Sequence, residues 1–78
     1  MNTYELRIRG LDREALSDAR SKLLACPEVR DLVRAGGQDR FLVLYEGRWG
    51  QPNVWCVILA NTGYPAQPVG DVHGTEAA

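Results

Sequence analysis

Any chemistry in this chain must come from few side chains. His73 is the only histidine, and Cys26 and Cys56 are the only thiols. A structural zinc needs about four convergent Cys or His ligands, and three widely separated ones do not supply them. His73 lies in a C-terminal stretch bearing Gly70 and Gly74, where nothing would position or tune a general base. A thiol nucleophile needs an accessible, electropositive setting with a base at hand. Cys56 is flanked by Trp55 and Val57, an inert setting. Cys26 precedes Pro27 at the end of a helical stripe and is the more open of the two, with no base beside it. Asp12, Glu14 and Asp18 read as cap and solvated-face charges, not as a carboxylate pair sharing a cleft. The chain is expected to have no catalytic residue, no metal and no cofactor.

Two stretches carry binding chemistry instead. Gly36-Gly37 could cradle an anion through backbone N–H groups. No strand–glycine loop–helix arrangement surrounds it, so a hairpin turn is the plainer reading. Arg48-Trp49-Gly50 has the composition of an interface anchor, since Trp, Tyr and Arg dominate binding hot spots. Folding Trp49 back over a small core as a lid fits it equally well. Tyr64, before Pro65, could extend the same surface. Arg7 and Arg9 on one strand face, with Phe41 or Trp55 nearby, invite comparison with single-stranded RNA binders. The balance of nine basic against ten acidic residues opposes that, and the arginines can equally lie at the rim of a contact surface.

The elements that would position these residues follow from periodicity. Residues 4–9 alternate, with Tyr4, Leu6 and Ile8 inward and Glu5, Arg7 and Arg9 outward, which predicts a strand. Gly10 ends it. Asp12 stands at an N-cap and Glu14 in the first helical turn. Leu16, Ala19, Leu23 and Cys26 then form one apolar stripe of a helix over about 13–25, stopped by Pro27. Residues 28–34 are ambiguous, and a short strand is favoured because 36–39 then becomes a hairpin turn into a strand at 40–46. The β-branched and aromatic run 54–60 predicts a last strand. Residues 1–65 are read as one domain, and 66–78, with Pro68, Gly70 and Gly74, as a flexible tail.

Seventy-eight residues make one small domain near the low end of what a single core stabilises. No secretory pattern is visible, and the longest apolar run is far short of the ~20 residues of a membrane helix. A cytoplasmic protein with reduced, buried thiols is expected. Strands 41–45 and 54–60 both read as apolar on two faces, which signals burial on both sides. With one helix available, one layer lacks a cover. A second copy, another protein or the folded tail would have to supply it, through Leu42 and Leu44 or through the set containing Trp55, Val57 and Leu59.

From about residue 15 to 46 the order is helix, Pro27-Glu28-Val29, Gly36-Gly37-Gln38-Asp39 and an apolar strand. It resembles the effector-binding domain of leucine-responsive (Lrp/AsnC-type) regulators. The resemblance implies a ferredoxin-like domain, a dimer, and Gly36, Gly37 and Asp39 near a ligand pocket at the dimer interface. The family's second helix and closing strand have no counterpart in this reading.

The expected fold is therefore α+β: a small ferredoxin-like sandwich with one helix on an antiparallel sheet of three to four strands, β-α-(β)-β-β. The expected function is non-enzymatic docking by a small regulator, accessory subunit or inhibitor, as a homodimer with a protein partner and without nucleic acid or membrane. Its contact residues would be Arg48, Trp49, Tyr64, Trp55, Leu42 and Leu44. The alternatives are a small-molecule-sensing dimer binding near Gly36, Gly37 and Asp39, an enzyme with its pocket at the dimer interface, and single-stranded RNA binding on the sheet.

Overall fold

A computed structural model describes residues 1–48 and 50–72. The chain runs β1 (Asn2–Ile8), α1 (Arg13–Leu23), β2 (Val29–Arg34), β3 (Arg40–Tyr45), α2 (Pro52–Asn61) and β4 (Ala66–Asp71). The four strands form one antiparallel sheet in the order β2-β3-β1-β4. This is the ferredoxin-like βαββαβ arrangement, so the α+β sandwich expected from the pattern is present, with one more helix and a closing strand.

α1 starts where the side chains dictate. Asp12 caps it, its Oδ1 accepting from the Ala15 N–H at 2.8 Å. Ala19 and Leu23 are fully buried. The ambiguous stretch is strand β2, joined to β3 by the glycine turn.

The run 54–60 is not a strand. It forms the body of α2, with Pro52 in the first turn, where a missing N–H costs nothing. Trp55 and Leu59, one helical turn apart, are fully buried, while Val54 and Val57 face water. Thr62 and Gly63 close the helix: the Thr62 Oγ1 donates to the Leu59 carbonyl at 2.7 Å, and Gly63 takes φ 93°. Glycine suits this left-handed position because it has no Cβ to clash. Residues 66–71, expected to belong to a loose tail, are β4, hydrogen-bonded along β1. Residues 73–78, with His73, and Trp49 lie outside the described residues.

Both helices pack on one sheet face. Leu6 and Ile8 of β1, Leu32 of β2, and Phe41, Val43 and Tyr45 of β3 meet Leu11, Ala19, Leu23, Trp55 and Leu59 in a single core. Arg34, at the border of this face, lies over the Phe41 ring at 4.8 Å and donates to the Leu11 carbonyl. The part of the uncovered apolar layer read at 54–60 is thereby accounted for: Trp55 and Leu59 are core residues, and Val57 is on the wet side of a helix. The other sheet face carries Val33, Leu42 and Leu44, half-buried among Glu5, Arg7 and Asp31.

Both border strands are irregular. Pairing of β4 with β1 shifts between Glu5 and Leu6, where Val69 is passed over, and pairing of β2 with β3 shifts between Val29 and Asp31. No helix among the described residues is long and apolar enough to cross a membrane.

Candidate functional site

β1 ends amid an uneven distribution of charge. Arg7 points away from the buried Leu6 and Ile8, as strand periodicity requires. In register it lies between Arg40 of β3 and Gln67 of β4. Arg7, Arg9, Asp39, Pro65 and Gln67 line an open cleft of about 470 Å³. Its floor is the end of β1, one wall is the β2–β3 turn, and the other is the segment entering β4.

The turn is held in place. Asp39 adopts φ 61°, and its carbonyl accepts from the Ile8 N–H at 3.0 Å. Gly37, at φ 92°, sits over the Arg40 stem, where an added Cβ would lie 3.3 Å from Cδ. Arg40 is fully engaged. Its Nε and Nη2 donate to the Glu5 carboxylate at 3.0 and 3.1 Å, and Nη1 donates to the Gly36 carbonyl at 3.1 Å. That hydrogen bonding lowers the Glu5 pKa against the opposing effect of burial, with the charges of Arg40 and Arg7 assisting. The same bond raises the Arg40 pKa. Among the described residues the ion pairs are Arg20–Asp31, Arg30–Glu46 and Arg40–Glu5. Arg7, Arg9 and Asp39 belong to none. Arg7, Arg9 and Asp39 thus line one opening with no ion pair to one another or to another described residue, and forked N–H donors of this kind bind anions well.

The opposite end of the sheet is closed. Tyr4 and Tyr45 pack on Trp55, with ring centroids 5.7 and 5.2 Å away. The Tyr45 hydroxyl donates to Asp71 Oδ1 at 2.7 Å, and Trp55 Nε1 donates to Glu28 Oε2 at 3.0 Å. Burial first, then the bond to Asp71 and nearby charge, push the Tyr45 pKa up to about 12. Gly50 approaches the rings so closely that an added Cβ would sit 3.1 Å from Trp55 and 3.2 Å from Tyr45. These contacts tie α2 and β4 to the central strands.

The residues expected to form a contact surface are dispersed. Trp55 is 0 % exposed. Arg48 is exposed just before α2, whereas Tyr64 is half-buried against the core just after it. The two therefore stand at opposite ends of a helix about 15 Å long. Leu42 and Leu44 are half-buried on the helix-free face, and Trp49 lies outside the described residues. Of Gly36, Gly37 and Asp39, Asp39 reaches the cleft lining while the glycines shape its turn. Arg7, Arg9, Pro65 and Gln67 were not singled out as ligand-binding. The available signal was the Arg-x-Arg spacing on the wet face of β1, read as a possible RNA surface or interface rim.

The thiols do not form a site. Cys26 is buried after α1, Cys56 is half-buried in α2, and both are free. Burial raises both pKa values, with Glu28 adding to the effect at Cys26. Among the described residues no group of three or more His, Cys, Asp or Glu could hold a metal ion.

No family model matches the chain and no curated protein matches it. Solved structures do. The yeast copper transporter domain Ccc2a, studied in apo and Cu(I)-loaded states, superposes with TM-score 0.71 at 14% identity, over 88% of this chain and 96% of that one. A domain solved in a study of crosstalk between Cu(I) and Zn(II) homeostasis gives 0.72 at 20% identity, over 88% and 100%. A copper-binding domain from HMA7, a P-type ATPase, gives 0.70 at 17% identity, over 91% and 97%. At these identities the likeness establishes the ferredoxin-like fold.

Two expectations are corrected. The resemblance to Lrp/AsnC-type domains reduces to that shared fold, because the structures named above include copper domains and no Lrp/AsnC-type domain. The docking module, with its sensing, interface-enzyme and RNA alternatives, is overturned as well. It rested on an uncovered layer of which the 54–60 part is α2 and is packed into the core, within a backbone shared with domains named for copper. Copper itself does not fit the donors described. Cu(I) is held by soft thiolates, and here one thiol is buried in the turn after α1 and the other half-buried within α2.

Proposed function

We propose that this chain binds an oxyanion-bearing ligand in the cleft at the end of β1, on a backbone shared with copper-binding domains. One observation carries the reading: Arg7 and Arg9 line a common opening and neither has an ion-pair partner among the described residues. Guanidinium groups held in no ion pair at a concave site raise the local concentration of anions and offer them directed N–H donors. The role is binding, with Arg7 and Arg9 as donors and Gln67 as a neutral hydrogen-bonding wall.

Calorimetric titration of the full chain with sulfate, alongside the Arg7→Gln/Arg9→Gln variant, tests it. Saturable binding that weakens about tenfold or more in the variant is expected for the loss of charge-assisted hydrogen bonds. No binding, or equal binding by both proteins, overturns the reading.

A second reading, metal binding or transfer, has the likeness to three copper-related domains in its favour. It would have to draw on Cys26 and Cys56, whose burial and separation oppose it. Competition for Cu(I) against a chromogenic chelator separates the two readings. The oxyanion reading expects the chelator to keep the metal. One equivalent captured by the chain, and lost in Cys26→Ser/Cys56→Ser, would favour the second.

A further inference from the structure

Resting on the oxyanion reading, we infer that the ligand is a phosphate monoester that also carries a hydroxyl or amino donor. The geometry points to each half separately.

The phosphoryl half follows from donor count. Arg7 lies on β1 and Arg9 in the turn just after it, so their backbones are at most roughly 7 Å apart. Both side chains line the same cleft. Each guanidinium presents a planar fork of N–H groups, and one such fork takes the facing lone pairs of both carboxylate oxygens, leaving a second fork only the outer ones. A second fork beside it is then limited to single, poorer contacts. A phosphoryl group has three terminal oxygens arranged tetrahedrally and can be shared between two forks. It also carries a charge of about −1.5 to −2 near pH 7, which suits two cations better than a monoanion does. Arg40, the nearest further cation in register, is held by both Glu5 oxygens and by the Gly36 carbonyl. It stabilises the turn and leaves the ligand to Arg7 and Arg9.

The second half follows from Asp39. A carboxylate in the wall of an anion site repels the anion unless the ligand brings a donor to it. Asp39 has no ion-pair partner among the described residues, and its backbone is pinned by the bond from Ile8. Asp39 is thereby kept in the cleft lining, its carboxylate available to accept from an O–H or N–H of the ligand. Gln67, on β4, can donate to or accept from the part between them. The ligand lies across the cleft, its phosphoryl group toward β1 and its donor toward the β2–β3 turn.

The test compares acetate, methyl phosphate and glycerol phosphate by calorimetric titration of the full chain, at one ionic strength. The expected order is glycerol phosphate tightest, methyl phosphate next, and acetate weaker than methyl phosphate by about tenfold, reflecting its lower charge and the poorer contacts it leaves to the second fork. Asp39→Asn should weaken glycerol phosphate severalfold and leave methyl phosphate unchanged or tighter. Asparagine tolerates the positive φ at this position, so the turn is kept. Acetate binding as well as methyl phosphate, with both lost in Arg7→Gln/Arg9→Gln, overturns the phosphoryl assignment while the oxyanion reading stands. Equal effects of Asp39→Asn on both phosphates overturn the role of Asp39. Binding of none of the three overturns both readings.

Discussion

Replacing Trp55 tests the central correction of the fold, that residues 54–60 are a helix seated in the core. The side chain is 0 % exposed, contacts Tyr4 and Tyr45 at centroid distances of 5.7 and 5.2 Å, and donates to Glu28 at 3.0 Å. Truncating a buried Trp to Ala costs about 3–5 kcal/mol. Glu28 is only half-buried, so water can satisfy the abandoned carboxylate and adds little to that figure. Small domains hold about 5–15 kcal/mol in total, so Trp55→Ala should remove a large share and Trp55→Phe, which keeps most ring contact but loses the N–H bond, about 1–2 kcal/mol. Urea denaturation followed by far-ultraviolet circular dichroism gives both values, the Phe variant remaining measurable if the Ala variant does not fold. At about 4–8 °C per kcal/mol for a domain of this size, thermal midpoints should fall in the same order. A loss below about 1 kcal/mol for Trp55→Ala would refute the packing of α2 described above, because a surface indole is the only kind removed so cheaply.

Gly50→Ala should cost about 1–3 kcal/mol, since its Cβ would enter the Trp55–Tyr45 contact at 3.1 and 3.2 Å; Gly36→Ala, with open space at the Cβ, should stay within about 0.5 kcal/mol in the same denaturation assay. Tyr45 gives an alkaline signature. Its folded pKa, raised from 10.0 to about 12, stabilises the protein fully below pH 10 and ceases to do so as pH rises through 12. The loss is about 2–3 kcal/mol for two pKa units, and Tyr45→Phe should flatten that part of the stability–pH curve. An unchanged curve in the variant would place the titration elsewhere.

Much of the fold was legible because local chemistry and global structure agreed. The alternation from Tyr4 to Ile8, the Asp12 cap and the Gly36-Gly37 turn each predicted what is present, while α1 ends at Leu23, ahead of the stop read at Pro27. Residues 54–60 were misread for a physical reason. Val54, Val57 and Ile58 are β-branched, and the run carries no charge to mark a wet helical face, so propensity outweighed the Trp55/Leu59 spacing and the Pro52 start. β4 was missed because Pro68 and Gly70 weaken a strand, and only a partner such as β1, supplied by the topology, compensates. The cleft was half-visible. Arg7 and Arg9 were read as outward-facing, but Gln67, some sixty residues away in sequence, joins them only once β4 pairs with β1. Asp39 was reached through the family resemblance, not through its charge.

The two offsets in strand pairing have a consequence for how the molecule behaves in a crowded solution. A straight border of unpaired amides is a template on which a neighbouring chain can grow. Here each border is broken: on β4 by the step at Val69 and by Pro68, which has no N–H to offer, and on β2 by the step beside the exposed Arg30. A would-be recruit meets a kinked rail with missing donors on one flank and a charged one on the other. The sheet is finite by construction, and fibre growth from the folded state has no ready starting edge.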